Sequence, residues 1–244
     1  TKLLFNSYGC PWKEKLAPES AALIFASYYL NNPSSMYGHT FIKLGRKGAY
    51  QDDPLLDYTI NFAANTNTTN GFAFAMLGLL GGYPGTFTTQ PYYMKIQKYN
   101  NMESRDLWEY ELHLSEKELN RLLQHTWELG QTSISYYFLN KNCSYQLLPL
   151  LEVAAGDRDF TSPFRFRAIP LDTLRAVIQS PGFINGIKYR ASHLEDLKNI
   201  RAQLTKQEMK IISKTVKSLK PSELSRFDEV EESRKPLVYE AAHI

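Results

Sequence analysis

Cysteine, metal-binding motifs and long apolar runs are scarce in this sequence, and each scarcity excludes a class of protein. Two cysteines, Cys10 and Cys143, cannot form a disulfide scaffold. The sequence has no Cys-x-x-Cys and no His-Glu-x-x-His motif, so we expect no bound metal ion and no cofactor. The glycines between 71 and 85 do not form a phosphate-loop pattern, which argues against nucleotide chemistry. No apolar run approaches the roughly 20 residues that cross a bilayer.

Net charge is also small, but it is unevenly distributed. The formal net charge is +3, whereas residues 161–220 contain 12 lysines and arginines against 4 aspartates and glutamates. This excess favours an anionic partner, either a membrane surface or a nucleic acid. Five lysines form one helical stripe in this region: Lys206, Lys210, Lys214, Lys217 and Lys220. The ordinary interpretation of this stripe is a solvated helix face, and the functional one is contact with lipid headgroups. Binding to nucleic acid is disfavoured because aromatic residues are not interleaved with these lysines.

The composition does support a packed core, since 43% of the residues are hydrophobic and 13% are aromatic. We predict an α+β fold, with the strands concentrated between His39 and Leu114 and helices on both sides. Periodicity and capping signals predict helices over 18–30 and 142–155, and helices that begin at the capping boxes 115–118 and 205–208. Strands are predicted over 39–44, 55–64, 91–99 and 107–114.

Cys143 is the strongest candidate for chemistry, because it lies where a polar turn becomes an apolar helical run. Unpaired N–H groups and the positive dipole end at a helix start favour a thiolate, which is the nucleophilic form. The same N–H groups could hold an oxyanion after attack on a carbonyl. The alternative is that Cys143 is only a small buried hydrophobic residue, the commoner role of a lone cysteine.

His39 is the best candidate for the base that a nucleophilic cysteine needs, because it begins a predicted strand. Strand alternation places Asp57 and Asn61 on one face of a neighbouring strand, where either could orient the imidazole. Asn61 is the first choice, since it would hold the tautomer without adding charge, and Asp57 is the second. The sequence therefore predicts a Cys–His acyl-transfer enzyme, although His39 could instead be a core histidine.

The apolar, glycine-rich run 72–80 allows two interpretations. It is too short to span a membrane, and a buried core helix is the ordinary interpretation. The functional alternative is a flexible apolar lip that admits acyl chains, since glycine permits close approach and unusual backbone angles.

Six motifs then occur in a characteristic order along the chain. The motifs are 34–41 (SSMYGHTF), 61–64 (NFAA), 78–83 (GLLGGY), 105–110 (RDLWEY), 127–129 (WEL) and 142–148 (NCSYQLL). Together they resemble the Lnb family, the periplasmic domain of a bacterial lipoprotein N-acyltransferase, over about residues 20–155. The order of His before Cys is also similar to circularly permuted NlpC-type, papain-like folds.

The resemblance implies a permuted NlpC/papain-like catalytic domain with an antiparallel sheet and a nucleophile helix, which we place over residues 1–160. From about residue 161 the pattern of short, highly charged helical segments predicts a helical, basic extension over 161–244. It implies that Cys143 takes an acyl chain from a phospholipid and passes it to the α-amine of a diacylglyceryl lipoprotein, with His39 moving the protons. A periplasmic, membrane-associated protein is expected. We also expect Tyr37, Tyr83 and Asn142 to contact substrate.

Other outcomes stay open from the sequence. Water could attack the same thioester, which would make the protein a cysteine phospholipase or amidase, and peptidase chemistry is a further enzyme alternative. A lipid- or peptidoglycan-binding module with a merely packed Cys143 belongs to a different class. No signal peptide is recognisable at Thr1, and residues 240–244 look like the opening of a helix, so we expect a piece of a longer protein.

Overall fold

A computed structural model describes residues 11–30, 36–46, 56–66, 68–218 and 225–243. Its seven strands form one antiparallel sheet in the order β6-β4-β3-β2-β1-β5-β7. The predicted α+β class is confirmed. The strands are β1 (Pro18–Ala26), β2 (His39–Arg46), β3 (Tyr58–Ala64), β4 (Tyr83–Pro91), β5 (Leu107–Leu112), β6 (Ile134–Tyr136) and β7 (Ile184–Arg190).

Helices precede, connect and follow these strands. The α-helices are α1 (Pro11–Leu16), α2 (Gly71–Leu80), α3 (Tyr92–Lys95), α4 (Glu116–Leu129), α5 (Cys143–Ala155), α6 (Pro170–Ile178), α7 (His193–Gln203), α8 (Lys206–Ser218) and α9 (Lys235–His243). A π-helix, Ile96–Met102, continues α3, and 3₁₀ turns cover Ser225–Glu229 and Glu232–Arg234. Residues 240–243, predicted to open a helix, are therefore the last described residues of α9.

The predicted helix over 18–30 is wrong, because this segment is the central strand β1. It pairs with β2 along one edge and β5 along the other, and both of its faces are buried. Leu23 packs into the main core on one face, whereas Ile24 belongs to a second cluster on the other. A strand buried on both faces has a continuous apolar sequence, which periodicity alone does not distinguish from a helix.

The predicted strand over 91–99 is also wrong, because β4 ends at Pro91 and the chain continues as α3 and the π-helix. Tyr92, Ile96 and Tyr99 are all buried, and they follow one another at the spacing of a helix face. Aromatic residues favour strands in isolation, but packing against Phe41 of β2 favours the helix here.

Local signals located the two helices of the main core correctly. The Ser115 hydroxyl accepts from the Glu118 N–H and the Glu118 carboxylate accepts from the Ser115 N–H, so the capping box that begins α4 is confirmed. The α5 helix begins after Asn142 and ends before Gly156, whose φ is 85°. Both helices pack against one face of the sheet through leucines: Leu119, Leu122, Leu123, Leu147, Leu148, Leu150 and Leu151.

The chain forms two compact units, with the first ending at Arg190 and the second running from Ala191 to Ile244. The boundary therefore lies later than residue 160, and the segment from 161 is not wholly helical. The reason is that β7 pairs with β5, while Leu174 and Phe183 are buried in the main core. The second unit has its own small core, in which Ile211, Phe227 and Val238 are buried.

Candidate active site

Cys143 is the first residue of α5 and its thiol is free and buried, with 1% of the residue exposed. The Asn142 side chain caps the helix by accepting from the N–H groups of Ser144 and Tyr145, at 3.2 Å each. Its amide also donates to the carbonyls of Phe138, at 3.1 Å, and Ala168, at 2.7 Å. Asn142 thus fixes the position of the cysteine by joining three segments of backbone.

His39 lies between Cys143 and Asn61, which were the predicted nucleophile and orienting residue. Its Nδ1 is 3.0 Å from Cys143 Sγ, and its Nε2 is 2.9 Å from Asn61 Oδ1. Because the Asn61 oxygen can only accept, Nε2 carries the hydrogen and Nδ1 presents its lone pair to the thiol. The ring is therefore oriented to remove the thiol proton.

Asp57, the second choice for the orienting residue, is engaged elsewhere. Its carboxylate accepts from the Arg46 N–H at 3.0 Å and lies 3.8 Å from Lys43 Nζ. Burial raises the pKa of Asp57, and these two partners oppose the rise. The structure thus brings Asn61, and not Asp57, to the imidazole.

The helix-start N–H groups are not unpaired, which differs from the expectation for an oxyanion site. The Cys143 N–H donates to the Tyr136 hydroxyl at 3.1 Å. Those of Ser144 and Tyr145 donate to the Asn142 cap. Tyr136 was missed by sequence reasoning, because nothing in the short strand β6 indicates that its hydroxyl reaches the following helix.

Burial outweighs the helix dipole at the thiol. Desolvation raises the pKa of Cys143, against the opposing hydrogen bonds of the Thr40 N–H, the Tyr136 hydroxyl and the Ser144 N–H. Desolvation lowers the pKa of His39 to about 3. The resting pair is therefore a neutral thiol and a neutral imidazole, and the expected resting thiolate is corrected.

Cations also surround the imidazole and contribute to its low pKa, Lys95 more than Arg105 or Lys98. Lys95 is only 5% exposed, and burial lowers its own pKa to about 8. Its ammonium lies 5.7 Å from the centre of the Tyr99 ring, and the His39 ring lies 5.4 Å from the same ring. The misassigned strand over 91–99 concealed Lys95 from sequence reasoning.

A pocket of about 190 Å³ leads to the thiol. Tyr37 and Asn142, both predicted to contact substrate, line it. Tyr83 does not: it is buried against Phe74 and Phe138, because alternate residues of β4 face the core. The lining residues are Met36, Tyr37, Ala75, Leu79, Phe138, Leu139, Asn142, Cys143 and Pro170.

The apolar run 72–80 forms α2, and it is not the buried core helix of the ordinary interpretation. Gly78 is its buried residue, whereas Phe72 is 77% exposed and Leu80 is 70% exposed. A Cβ at Gly78 would collide with the ring of Phe138, so glycine is needed for this close approach. The helix lies at the pocket with most of its apolar surface uncovered.

Three further observations concern metal ligands, membrane-spanning helices and surface charge. In the part of the chain that the structure describes, no three His, Cys, Asp or Glu side chains lie together as metal ligands, and no helix is long and apolar enough to cross a membrane. Four lysines of the predicted stripe are exposed on α8: Lys206, Lys210, Lys214 and Lys217. Lys220 and Cys10 lie outside the described residues.

Comparison with known protein families supplies one match. The family described as the Lnb N-terminal periplasmic domain matches residues 8–180, which is more than half of the chain. This match confirms the resemblance carried by the six motifs. A search of curated proteins and a search of solved structures each returned no match.

Proposed function

Because the chain belongs to the Lnb N-terminal periplasmic domain family, we propose that it is a lipoprotein N-acyltransferase that uses Cys143 as its nucleophile. The observation that supports this chemistry best is the position of His39, 3.0 Å from the thiol on one side and 2.9 Å from Asn61 on the other. Covalent acyl transfer requires a nucleophile, a base within hydrogen-bond distance of it, and a third group that orients the base.

In the first half-reaction, the Cys143 sulfur attacks the ester carbonyl of a phospholipid while His39 Nδ1 accepts the thiol proton. A carbon–sulfur bond forms and a tetrahedral oxyanion results. When the intermediate collapses, the ester carbon–oxygen bond breaks and the proton passes from His39 to the departing alkoxide. The products are a lysophospholipid and an acyl thioester on Cys143.

In the second half-reaction, the α-amine of a diacylglyceryl lipoprotein attacks the thioester. His39 accepts a proton from the amine, an amide bond forms, and the carbon–sulfur bond breaks. The departing sulfur takes the proton back from His39, which restores the neutral pair. Asn61 holds the same tautomer throughout, because its oxygen keeps the hydrogen on Nε2.

Tyr136 and the Cys143 N–H are the groups best placed to stabilise the oxyanion. They already bind one another at 3.1 Å. An oxyanion would replace the hydroxyl as acceptor of the Cys143 N–H, and the hydroxyl could rotate to donate to the same oxygen. Donors held in a buried site stabilise developing charge more strongly than donors in water.

A neutral resting pair suits a substrate that enters from an apolar phase. A thiolate–imidazolium pair would be costly in so buried a site, and proton transfer as the bond to carbon forms avoids a separated charge pair in the resting state. We further propose that the sheet and α5 constitute the permuted NlpC/papain-like core. The His-before-Cys order and the cysteine at a helix start support this assignment.

Intact-protein mass spectrometry after incubation with phospholipid vesicles tests the thioester. We expect a hydroxylamine-labile acyl adduct on the wild-type chain, none on Cys143→Ala, and a strongly reduced amount on His39→Gln. Adding a synthetic diacylglyceryl lipopeptide should discharge the adduct and leave an N-acylated peptide. An adduct of equal size on Cys143→Ala, or none on folded wild type with lipid bound, contradicts the proposal.

A further inference from the structure

The pocket that leads to Cys143 opens through a surface of exposed apolar side chains. The α2 helix contains no charged residue, and Phe72 at its start and Leu80 at its end are both largely exposed. Apolar side chains exposed singly are ordinary, but a contiguous group around a site entrance indicates an interaction surface. The exposed members that line the pocket are Met36, Tyr37, Leu79 and Leu139, and α2 adds Met76 and Leu77.

A still more exposed aromatic residue lies in the segment that leads to Ala168. Phe166 is 90% exposed and stands between Arg165 and Arg167, which are both exposed. Ala168, which follows, donates its N–H to the Leu139 carbonyl at 2.9 Å. Its own carbonyl accepts from Asn142, the cap of the nucleophile helix. The backbone two residues after Phe166 is therefore hydrogen-bonded to Leu139 and Asn142, which both line the pocket.

Three cations lie in the same part of the chain as these apolar groups. Lys141 and Arg165 both line a second pocket, of about 260 Å³, together with Asn140, Tyr145 and Ser162. The turn 138–143 contributes residues to this pocket and to the pocket at the thiol, so the two are neighbours. Among the residues that the structure describes, Lys141, Arg165 and Arg167 form no ion pair.

We propose that this face docks on an anionic phospholipid bilayer. Phe166 and the exposed side chains of α2 enter the acyl boundary, while Lys141, Arg165 and Arg167 contact headgroup phosphates. Aromatic and aliphatic groups rimmed by arginine and lysine are the pattern of interfacial membrane binding. Docking would place the pocket against the bilayer, so that an acyl chain reaches Cys143 without crossing water. Only the delivery of an acyl chain to Cys143 rests on the proposed function, and docking itself does not.

Vesicle co-sedimentation of the Cys143→Ala chain tests docking separately from chemistry. We expect binding to vesicles that contain phosphatidylglycerol. Phe166→Ser should weaken this binding about tenfold, since the variant lacks the phenylalanine side chain that the docked protein would bury in the bilayer. Ile187→Ser is the matched control, because Ile187 is also an exposed apolar residue, at 58%. It lies on β7, whereas the turn 138–143 follows β6 at the other edge of the sheet. The Ile187→Ser variant should leave binding unchanged.

The charge contribution is tested by the Arg165→Gln/Arg167→Gln double variant. We expect about tenfold weaker binding to phosphatidylglycerol vesicles and little change on pure phosphatidylcholine. Circular dichroism establishes that each variant is folded. Absence of vesicle binding by folded Cys143→Ala, or equal binding by Phe166→Ser and Ile187→Ser, overturns docking. If the wild-type chain binds vesicles but forms no acyl adduct, the result supports docking and contradicts the proposed function.

Discussion

At the scale of single residues, the electrostatic surroundings of His39 decide how the site works. Its ring makes hydrogen-bond contacts with Cys143 and Asn61 and packs beside Tyr99, with the ammonium of Lys95 on the same aromatic ring. Burial and this cation both disfavour a protonated ring, so His39 is a neutral acceptor throughout the physiological range. The unprotonated imidazole of His39 is thus paired with the Cys143 thiol, whose pKa is raised by burial.

His39 should make the protein sensitive to acid. Its pKa is 6.5 when unperturbed and about 3 in the folded chain, so between these values the unfolded state binds a proton that the folded state does not. The free energy of unfolding should therefore fall as pH decreases from 6.5 towards 3. Urea unfolding at pH 7 and pH 5 should show wild type losing about 2 kcal/mol more than His39→Gln. Equal losses would contradict the low pKa.

Tyr136 should affect the reactivity of the thiol. Its hydroxyl helps to lower the pKa of Cys143 against the larger effect of burial. Tyr136→Phe should raise the pKa of the thiol further and slow its alkylation by iodoacetamide about fivefold at pH 8. Tyr137→Phe, at the adjacent residue, serves as the control and should react at the wild-type rate. Faster alkylation of Tyr136→Phe would count against a hydroxyl that stabilises the thiolate.

At the scale of elements, the start of α5 is a junction as well as a helix end. Asn142 caps the helix and also donates to the carbonyls of Phe138 and Ala168. The α4 helix has a simpler, exposed start. There the side chains of Ser115 and Glu118 each accept a hydrogen bond from the backbone N–H of the other residue. Ser115 and Asn142 are both common N-cap residue types, but only Asn142 joins Phe138, which lines the pocket, and Ala168 to the nucleophile helix.

This difference predicts unequal costs for removing the two caps. Ser115→Ala should lower the free energy of unfolding by about 1 kcal/mol, the usual value for a helix cap. Asn142→Ala should cost about 3 kcal/mol, because two carbonyls lose their donors as well. Urea denaturation of the two variants measures the comparison. Equal costs would show that the contacts to Phe138 and Ala168 contribute nothing to stability.

At the scale of the whole chain, the sheet is complete only with residues beyond 160. The β7 strand covers the outer edge of β5, with Tyr110 opposite Ile187. The α6 helix and the segment after it contribute Leu174, Val177 and Phe183 to the main core. The family match, which runs to residue 180, also extends past the predicted boundary.

A chain that ends at residue 160 should therefore lose its cooperative thermal transition, because it exposes the edge of β5 and empties part of the core. A chain that ends at Arg190 should retain a sharp transition, since it keeps the whole first unit. Thermal unfolding followed by circular dichroism compares the two. A sharp transition at the same temperature in both chains would restore the earlier boundary.

Local chemistry was sufficient to predict several features from the sequence. The helix starts at Ser115 and Asn142 were predicted because capping depends on neighbours a few residues away. The Cys143–His39–Asn61 cluster was predicted because strand alternation and a helix start restrict where such side chains can be. The roles assigned to these residues in catalysis stay predictions, whereas their contacts are present in the structure.

The remaining features depend on distant parts of the chain, and only the tertiary structure decided them. The segment 18–26 is a strand because it pairs with β2 and β5 while hydrophobic clusters bury both its faces. Tyr83 is a core residue because Phe74 and Phe138 cover it. The same holds for the protonation state at the site. The sequence by itself determined which groups could react, but burial, which no local pattern encodes, determined that the thiol and imidazole rest uncharged.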